Sequence, residues 1–197
     1  RRHSFPTRRS SDLKLRRETE FTDIQLRKGS TGTLIVTTQT RRIFTPRGLA
    51  LTEAASTVFR EEVASGAKAG VPVRDAAPSD VPWRRTITPS PVMLFRYSAI
   101  TFNPHRIHYD KPYCMEVEGY PGLVVHGPFA QQCLLDLLRD SMPGRRIATF
   151  AVRARAPLFD NAPFDVVGRP TADGKGAELW TVTPKGTIAA QATATLG

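Results

Sequence analysis

Two of the four histidines in this chain lie within one short polar stretch that also holds a carboxylate and an Asn-Pro break. The stretch runs from Tyr97 to Asp110 and contains His105 and His108. Histidine suits proton transfer because its unperturbed pKa of about 6.5 lies near working pH. Asp110 would share a face with His108 if the segment were extended. For any one of these side chains a polar loop with capping residues is the commoner explanation, and the density of the set is what favours chemistry.

An apolar run ends in His126, Gly127 and Pro128, which predicts the start of a helix. A helix N-terminus has unpaired N–H groups and a partial positive charge. Such donors stabilise a carbonyl oxygen that gains negative charge, by roughly 3–4 kcal/mol per donor. Gly127 allows close approach, and Pro128 has no N–H, so the expected donors are the amides of Gly127 and Phe129. Taken alone, Gly-Pro more often simply begins a helix, and His126 alone fits a packed histidine.

Together the two features suit addition of water to a 2-enoyl thioester. The base takes a proton from water, and the helix N-terminus polarises the thioester carbonyl. Asn103 or Thr101 could hold the water, and Arg106 could meet an acidic substrate group or a phosphate. Arg153 and Arg155 fit either solvent-facing charge or a channel for an anionic group.

Other chemistries are disfavoured. His105, His108 and Asp110 could be written as metal ligands, yet there is no His-Glu-x-x-His and no cysteine pair, so no metal is expected. There is no Gly-x-Ser-x-Gly elbow, phosphate-binding loop or dinucleotide fingerprint. We therefore expect no cofactor.

The net charge of +10 includes +3 from residues 1–13, where four arginines face one aspartate. This opening resembles a translated sequencing-adaptor artefact, and the rival interpretation is a mitochondrial transit peptide. The other charges are spread along the chain, which argues against nucleic-acid binding. No apolar run approaches the length of a bilayer span, so no membrane association is expected. Cys114 and Cys133 stand alone, which fits reduced thiols in a bacterial cytoplasm or, as the alternative, a mitochondrial matrix.

The elements that must position these residues form two predicted units. Residues 14–60 hold two strands, 33–38 and 49–59, joined at the turn Pro46–Gly48 as part of a larger sheet. Residues 61–83 have a linker composition rich in Ala, Gly, Pro and Ser. A second unit covers residues 84–197.

Two helices are predicted in the second unit. One begins at Ser90 and Pro91 and ends before Asn103-Pro104; its expected apolar face is Val92, Phe95, Ala99 and Ile100. The other begins at Gly127 and ends at Pro143-Gly144. Its expected buried stripe is Ala130, Cys133, Leu134, Leu137, Leu138 and Ser141.

Strands are predicted at 149–156, 164–169, 177–183 and 187–196, separated by Gly- and Pro-containing turns. A sheet of consecutive antiparallel strands can bury the apolar helix by curling around it. This gives an α+β hot-dog fold, complete in the second unit and truncated in the first; a flatter helix-on-sheet layer is the alternative.

The two motif segments resemble the MaoC-like (R)-specific hydratases and dehydratases. Their motif reads Asp-x-Asn-Pro-x-His-x-Asp, followed later by an apolar run ending in His-Gly. The variant here is closer to the branch of mesaconyl-CoA hydratases and type 2 3-hydroxyacyl-thioester dehydratases, and the match covers about residues 95–138. The resemblance implies that Asn103, His108 and Asp110 are catalytic and that Gly127 forms the oxyanion hole.

Two departures matter. Thr101 stands where the motif has its catalytic Asp, and two extra residues separate Asn103 from His108. Thr101 is therefore a candidate for positioning the water by hydrogen bonding. His126, Phe129 and Arg106 are candidate substrate-binding residues.

The resemblance also implies an N-terminal hot dog, with residues 33–59 as its back half, and pairing of hot dogs as a homodimer or pseudo-dimer. The expected activity is that of a hydro-lyase acting on acyl-CoA. A hot-dog thioesterase and a non-catalytic, truncated hot dog are the alternatives.

Overall fold

The structure is a computed structural model, and it describes residues 14–29, 32–60 and 75–197. The described residues fall into two compact units, one before residue 65 and one after it. The predicted adaptor-like segment 1–13 and the predicted linker residues 61–74 lie outside the described residues.

The first unit is a three-stranded antiparallel meander. Its strands are β1 (Arg16–Gly29), β2 (Gly32–Thr45) and β3 (Gly48–Arg60), with β2 in the middle. The predicted hairpin is present and longer than expected, and Gly48 adopts a φ of +106° that favours glycine at the turn. The strand β1 was not predicted from the sequence. Its apolar side chains Phe21, Ile24 and Leu26 are exposed among charged residues, so it lacks the β-branched run that marked β2.

The second unit contains the two predicted helices followed by the four predicted strands, together with elements that were not predicted. After β4 (Trp83–Ile87) come α1 (Pro91–Thr101), the 3₁₀ turn Arg106–His108, the π-helical turn Tyr113–Val117 and α2 (Gly127–Ser141). Four strands follow: β5 (Ile147–Ala154), β6 (Phe164–Pro170), β7 (Gly176–Val182) and β8 (Ile188–Leu196). Together with β4 they form a five-stranded antiparallel sheet in the order β4-β6-β7-β8-β5.

The core lies between α2 and the sheet. The predicted stripe of α2 is confirmed at Ala130, Cys133, Leu134, Leu137 and Leu138, and the helix contacts β4, β6 and β7. Phe164, Val166 and Leu179 meet it from the sheet with at most 2% exposure. The fold is therefore the predicted α+β hot dog, a sheet packed around one central helix.

The predicted end of the linker is wrong. Residues 75–83 contact the sheet: Ala77 N–H donates to Gly186 O over 2.9 Å, and Ala77 and Val81 pack on Trp180 and Ile188. Trp83 already begins β4, which the sequence analysis did not predict. These residues cover apolar side chains on β7 and β8 that would otherwise face solvent.

The predicted apolar face of α1 is also wrong. Val92, Phe95 and Ile100 are 60%, 59% and 74% exposed, whereas Leu94 and Ser98 are buried. Because α1 is apolar on more than one side, its pattern does not choose the inward face. The predicted cap is correct, since Ser90 Oγ accepts the Met93 N–H at 3.2 Å. No helix among the described residues is long and apolar enough to cross a membrane.

Candidate active site

His108 lies at the end of the 3₁₀ turn and is 7% exposed. Its Nδ1 lies 2.7 Å from the Val124 carbonyl oxygen. A carbonyl can only accept, so Nδ1 carries the proton and donates. In the neutral ring Nε2 is then the unprotonated nitrogen, and it has no hydrogen-bonding partner among the described residues. His108 is thus oriented as a base whose lone pair is free.

The segment that holds Val124 is tied on both sides. Val124 N–H donates to Ile107 O at 3.0 Å, and Val125 N–H donates to Leu158 O at 2.8 Å. Asp160, whose side chain is 2% exposed, accepts the Leu123 N–H at 2.8 Å. The acceptor of the His108 proton therefore belongs to a rigid segment rather than to a free loop.

Gly127 is the first residue of α2, two residues beyond Val125. Within the part of the chain that the structure describes, its N–H donates to no protein acceptor, as expected for a first-turn amide. Gly127 is exposed, and a Cβ built on it would meet no atom within 4 Å, so a substrate group can approach this end of α2. The amide can therefore donate to an incoming carbonyl oxygen.

His126 connects the two groups. Its ring stacks on His108 with centroids 3.7 Å apart and planes inclined by 18°, and the next residue is Gly127. The structure thus brings the predicted base and the predicted oxyanion-hole residue to one place. His126 itself has no exposed surface. It therefore has none with which to contact a substrate, contrary to the prediction.

Burial lowers the pKa of His108, against the opposing effect of the Val124 hydrogen bond, and nearby His105 lowers it further. Burial, with His108 next in importance, lowers the pKa of His126 to about 4. Both rings are therefore neutral at neutral pH. A neutral His108 is the form that can accept a proton.

Asp110 does not share a face with His108, contrary to the extended-segment expectation. The chain turns here, and the Asp110 carboxylate accepts from Arg106 at 2.7 and 3.0 Å and from Tyr113 N–H at 3.1 Å. The hydrogen bonds from Arg106, and to a smaller extent the one from Tyr113 N–H, hold the pKa of Asp110 below its usual range. Arg106 also stacks on the Tyr113 ring at 3.9 Å. The charges of Arg106 and Asp110 are thus paired with each other.

The side chains of Thr101 and Asn103 make hydrogen bonds to the backbone at and just beyond the C-terminal end of α1. The Thr101 hydroxyl donates to Tyr97 O at 2.6 Å, and Asn103 Oδ1 accepts the His105 N–H at 3.1 Å. The Asn103 side-chain amide N–H₂ makes no hydrogen bond to the residues described. Phe129, in the first turn of α2, packs edge-on against Tyr97 with ring centroids 5.4 Å apart.

Sequence reasoning missed Ser98. It is 6% exposed and its Oγ lies 2.8 Å from His126 Nε2. The available signal was its spacing of four residues from Leu94, which places both on one face of α1. Across the described ranges, no group of three or more His, Cys, Asp or Glu residues is arranged to hold a metal. A cavity of about 460 Å³ lies elsewhere, beside Pro78, Arg84 and Asp165.

The fold and this site define a class, a hot-dog protein with a neutral imidazole stacked at the N-terminus of its central helix. The sequence profile of the hydroxyacyl-thioester dehydratase type 2 family matches residues 4–160, and the chain belongs to this family. It is 41% identical over 187 residues to the mesaconyl-C(4)-CoA hydratase of Chloroflexus aurantiacus, covering 92% of this chain and 63% of that protein.

A mitochondrial hydroxyacyl-thioester dehydratase type 2 of Schizosaccharomyces pombe is 38% identical over 81 residues, covering 40% of this chain and 27% of that protein. Among solved structures, the MaoC-like dehydratase from Phytophthora capsici matches with a TM-score of 0.68 and 16% identity. That match covers 93% of this chain and 64% of the other. At this identity the likeness shows the fold. The chain spans less than two thirds of the length of the mesaconyl-C(4)-CoA hydratase.

Proposed function

We propose that the protein is a hydro-lyase that reversibly adds water across the double bond of a 2-enoyl-CoA. The observation that carries this proposal is the neutral His108, whose Nε2 has no partner among the described residues and whose ring stacks on His126, the residue directly before the exposed start of α2 at Gly127. The family and the named activities of the relatives support it.

In the proposed reaction the thioester carbonyl accepts the Gly127 N–H, which draws electron density from the double bond. His108 Nε2 removes a proton from water while the water oxygen bonds to the β-carbon. The same proton then passes from His108 to the α-carbon, so that H and OH have been added across the bond. One group serves both proton steps because Asp110 is paired with Arg106 and Thr101 replaces the carboxylate of the motif. The free amide of Asn103 is our candidate for holding the water.

A mesaconyl-like acyl group is the substrate that the Chloroflexus relative suggests. We further propose a bacterial cytoplasmic protein in which hot-dog units pair, within one chain or between two.

The test is to offer crotonyl-CoA and mesaconyl-CoA to the full chain and to its His108→Ala and His105→Ala variants. We expect loss of enoyl absorbance without free thiol, and a fall in kcat of about 10²–10⁴-fold in His108→Ala because the proton acceptor is gone. His105→Ala, which removes an exposed neighbouring imidazole, should stay within about tenfold of the parent. Release of thiol would instead indicate a thioesterase, and absence of turnover with both thioesters would refute the hydratase.

A further inference from the structure

His126 is a buried titratable group to which the proposed reaction assigns no step. It has no exposed surface, yet its ring lies against the base with centroids 3.7 Å apart. The Ser98 hydroxyl from α1 lies 2.8 Å from its Nε2, and its Nδ1 is buried without a partner among the described residues. A buried ring that is hydrogen-bonded at one nitrogen and packed on another imidazole has a fixed orientation.

The hydrogen bonding allows only a neutral His126. Either Ser98 donates to Nε2 and the proton of the neutral ring is on Nδ1, or Nε2–H donates to Ser98 Oγ and Nδ1 carries no proton. A protonated ring would need two acceptors, and this site offers one. Burial and the neighbouring His108 disfavour the charged form for the same reason.

A neutral ring at this place has two effects on His108. It covers one face of the imidazole while Val124 O holds one edge, so the direction of Nε2 is set by two contacts at right angles. It also places no positive charge beside the imidazolium that forms when His108 is protonated. A charged His126 would repel it.

The other groups around the pair do not alter this. Tyr97 from α1 lies 4.9 Å from His126, and His105 faces His108 edge-on at 5.6 Å. The nearest carboxylate along the chain, Asp110, is paired with Arg106. No carboxylate is found hydrogen-bonded to either ring within the described ranges.

We propose that Ser98 and His126 are positioning residues that together fix the ring of His108 and keep its Nε2 directed at the substrate. The proposal rests on the proposed function in naming His108 as the base. It goes beyond that function in assigning a task to two buried side chains that touch no substrate.

The test combines kinetics with a histidine titration. The full chain is labelled with ¹³C at histidine Cε1, and His108 is titrated by NMR in the parent and in Ser98→Ala, Ser98→Thr and His126→Phe. Ser98→Ala should lower kcat by about tenfold at unchanged KM, because the base is present but less well aimed. Its His108 titration and the pH profile of kcat/KM should both move up towards pH 6.5, because a looser ring is better solvated. Ser98→Thr, which retains the hydroxyl, should restore both values.

His126→Phe keeps an aromatic face without the Ser98 bond, and should lie between the parent and Ser98→Ala. Circular dichroism confirms that each variant is folded. Unchanged His108 titration and unchanged kcat in folded Ser98→Ala would overturn the inference. If no thioester is turned over but the titration shifts as described, positioning stands and the hydratase proposal fails.

Discussion

At the scale of the residue, two histidine side chains and one backbone amide define the site, and burial and one hydrogen bond set the state of each histidine. His108 is neutral and oriented by Val124 O, His126 is neutral and anchored by Ser98, and Gly127 at the start of α2 is exposed. The charged residues of the same stretch, Arg106 and Asp110, neutralise each other. The sequence shows the histidines, but it does not show which of them is left with a free nitrogen.

The buried state of His126 predicts acid sensitivity. Its folded pKa of about 4 lies below the unfolded value near 6.5, so the unfolded chain binds more protons between these values. Stability contributed by this group should be present at pH 7 and should fall as the pH drops from about 6.5 towards 4. We expect a loss of about 2 kcal/mol between pH 7 and pH 5 from this group alone.

Urea unfolding at the two pH values measures this loss, with His126→Phe as the control. The variant should lose less stability on acidification than the parent, since it has no imidazole to protonate at this place. An equal loss in both would show that His126 does not carry the effect.

At the scale of the element, α1 illustrates the limit of pattern reading. Its cap at Ser90 follows from local rules, and its extent agrees with expectation. The inward face does not, because apolar residues lie on two sides of the helix and only packing selects between them. Leu94 has no exposed surface, whereas Ile100 is 74% exposed.

A matched pair of substitutions on α1 tests this assignment. Leu94→Ala should cost about 2–5 kcal/mol of unfolding free energy, because it leaves a cavity in the core. Ile100→Ala removes a side chain of the same size from an exposed place and should change stability by about 0.5 kcal/mol or less. Urea denaturation of both variants decides the point, and equal costs would show that the outward face is covered in the protein.

At the scale of the whole molecule, the second unit packs α2 inside the sheet and residues 75–82 on its other side. This arrangement holds α1, the 3₁₀ turn and the start of α2 close together. The chain as a whole carries a net charge of +10 with a pI near 10.3. Such a field attracts an anionic substrate such as a CoA thioester and is weakened by salt.

This charge gives a prediction for the proposed substrate. The KM for crotonyl-CoA should rise several-fold between roughly 0.05 and 0.5 M NaCl, because salt screens the attraction of its phosphates. The KM for crotonyl-pantetheine, which lacks those phosphates, should change little over the same range. Parallel behaviour of the two substrates in steady-state assays would show that the positive charge does not serve phosphate binding.

The sequence by itself determined the α+β architecture, the central helix with its buried stripe, and the last four strands. These depend on periodicity, capping and turn residues, which act over a few neighbours. It also marked His108 and Gly127 as candidates, because their residue types and the helix start are local features.

Only the tertiary structure decided which groups meet. Asp110 pairs with Arg106 and not with His108. The outer face of α1 is exposed, and Ser98 contacts His126, which is 28 residues away in sequence. Contacts of this kind join distant parts of the chain, and their choice depends on which surfaces the core excludes from water. The stacking of His126 on His108 belongs to this second kind of information, and it is what brings His108 to the N-terminus of α2.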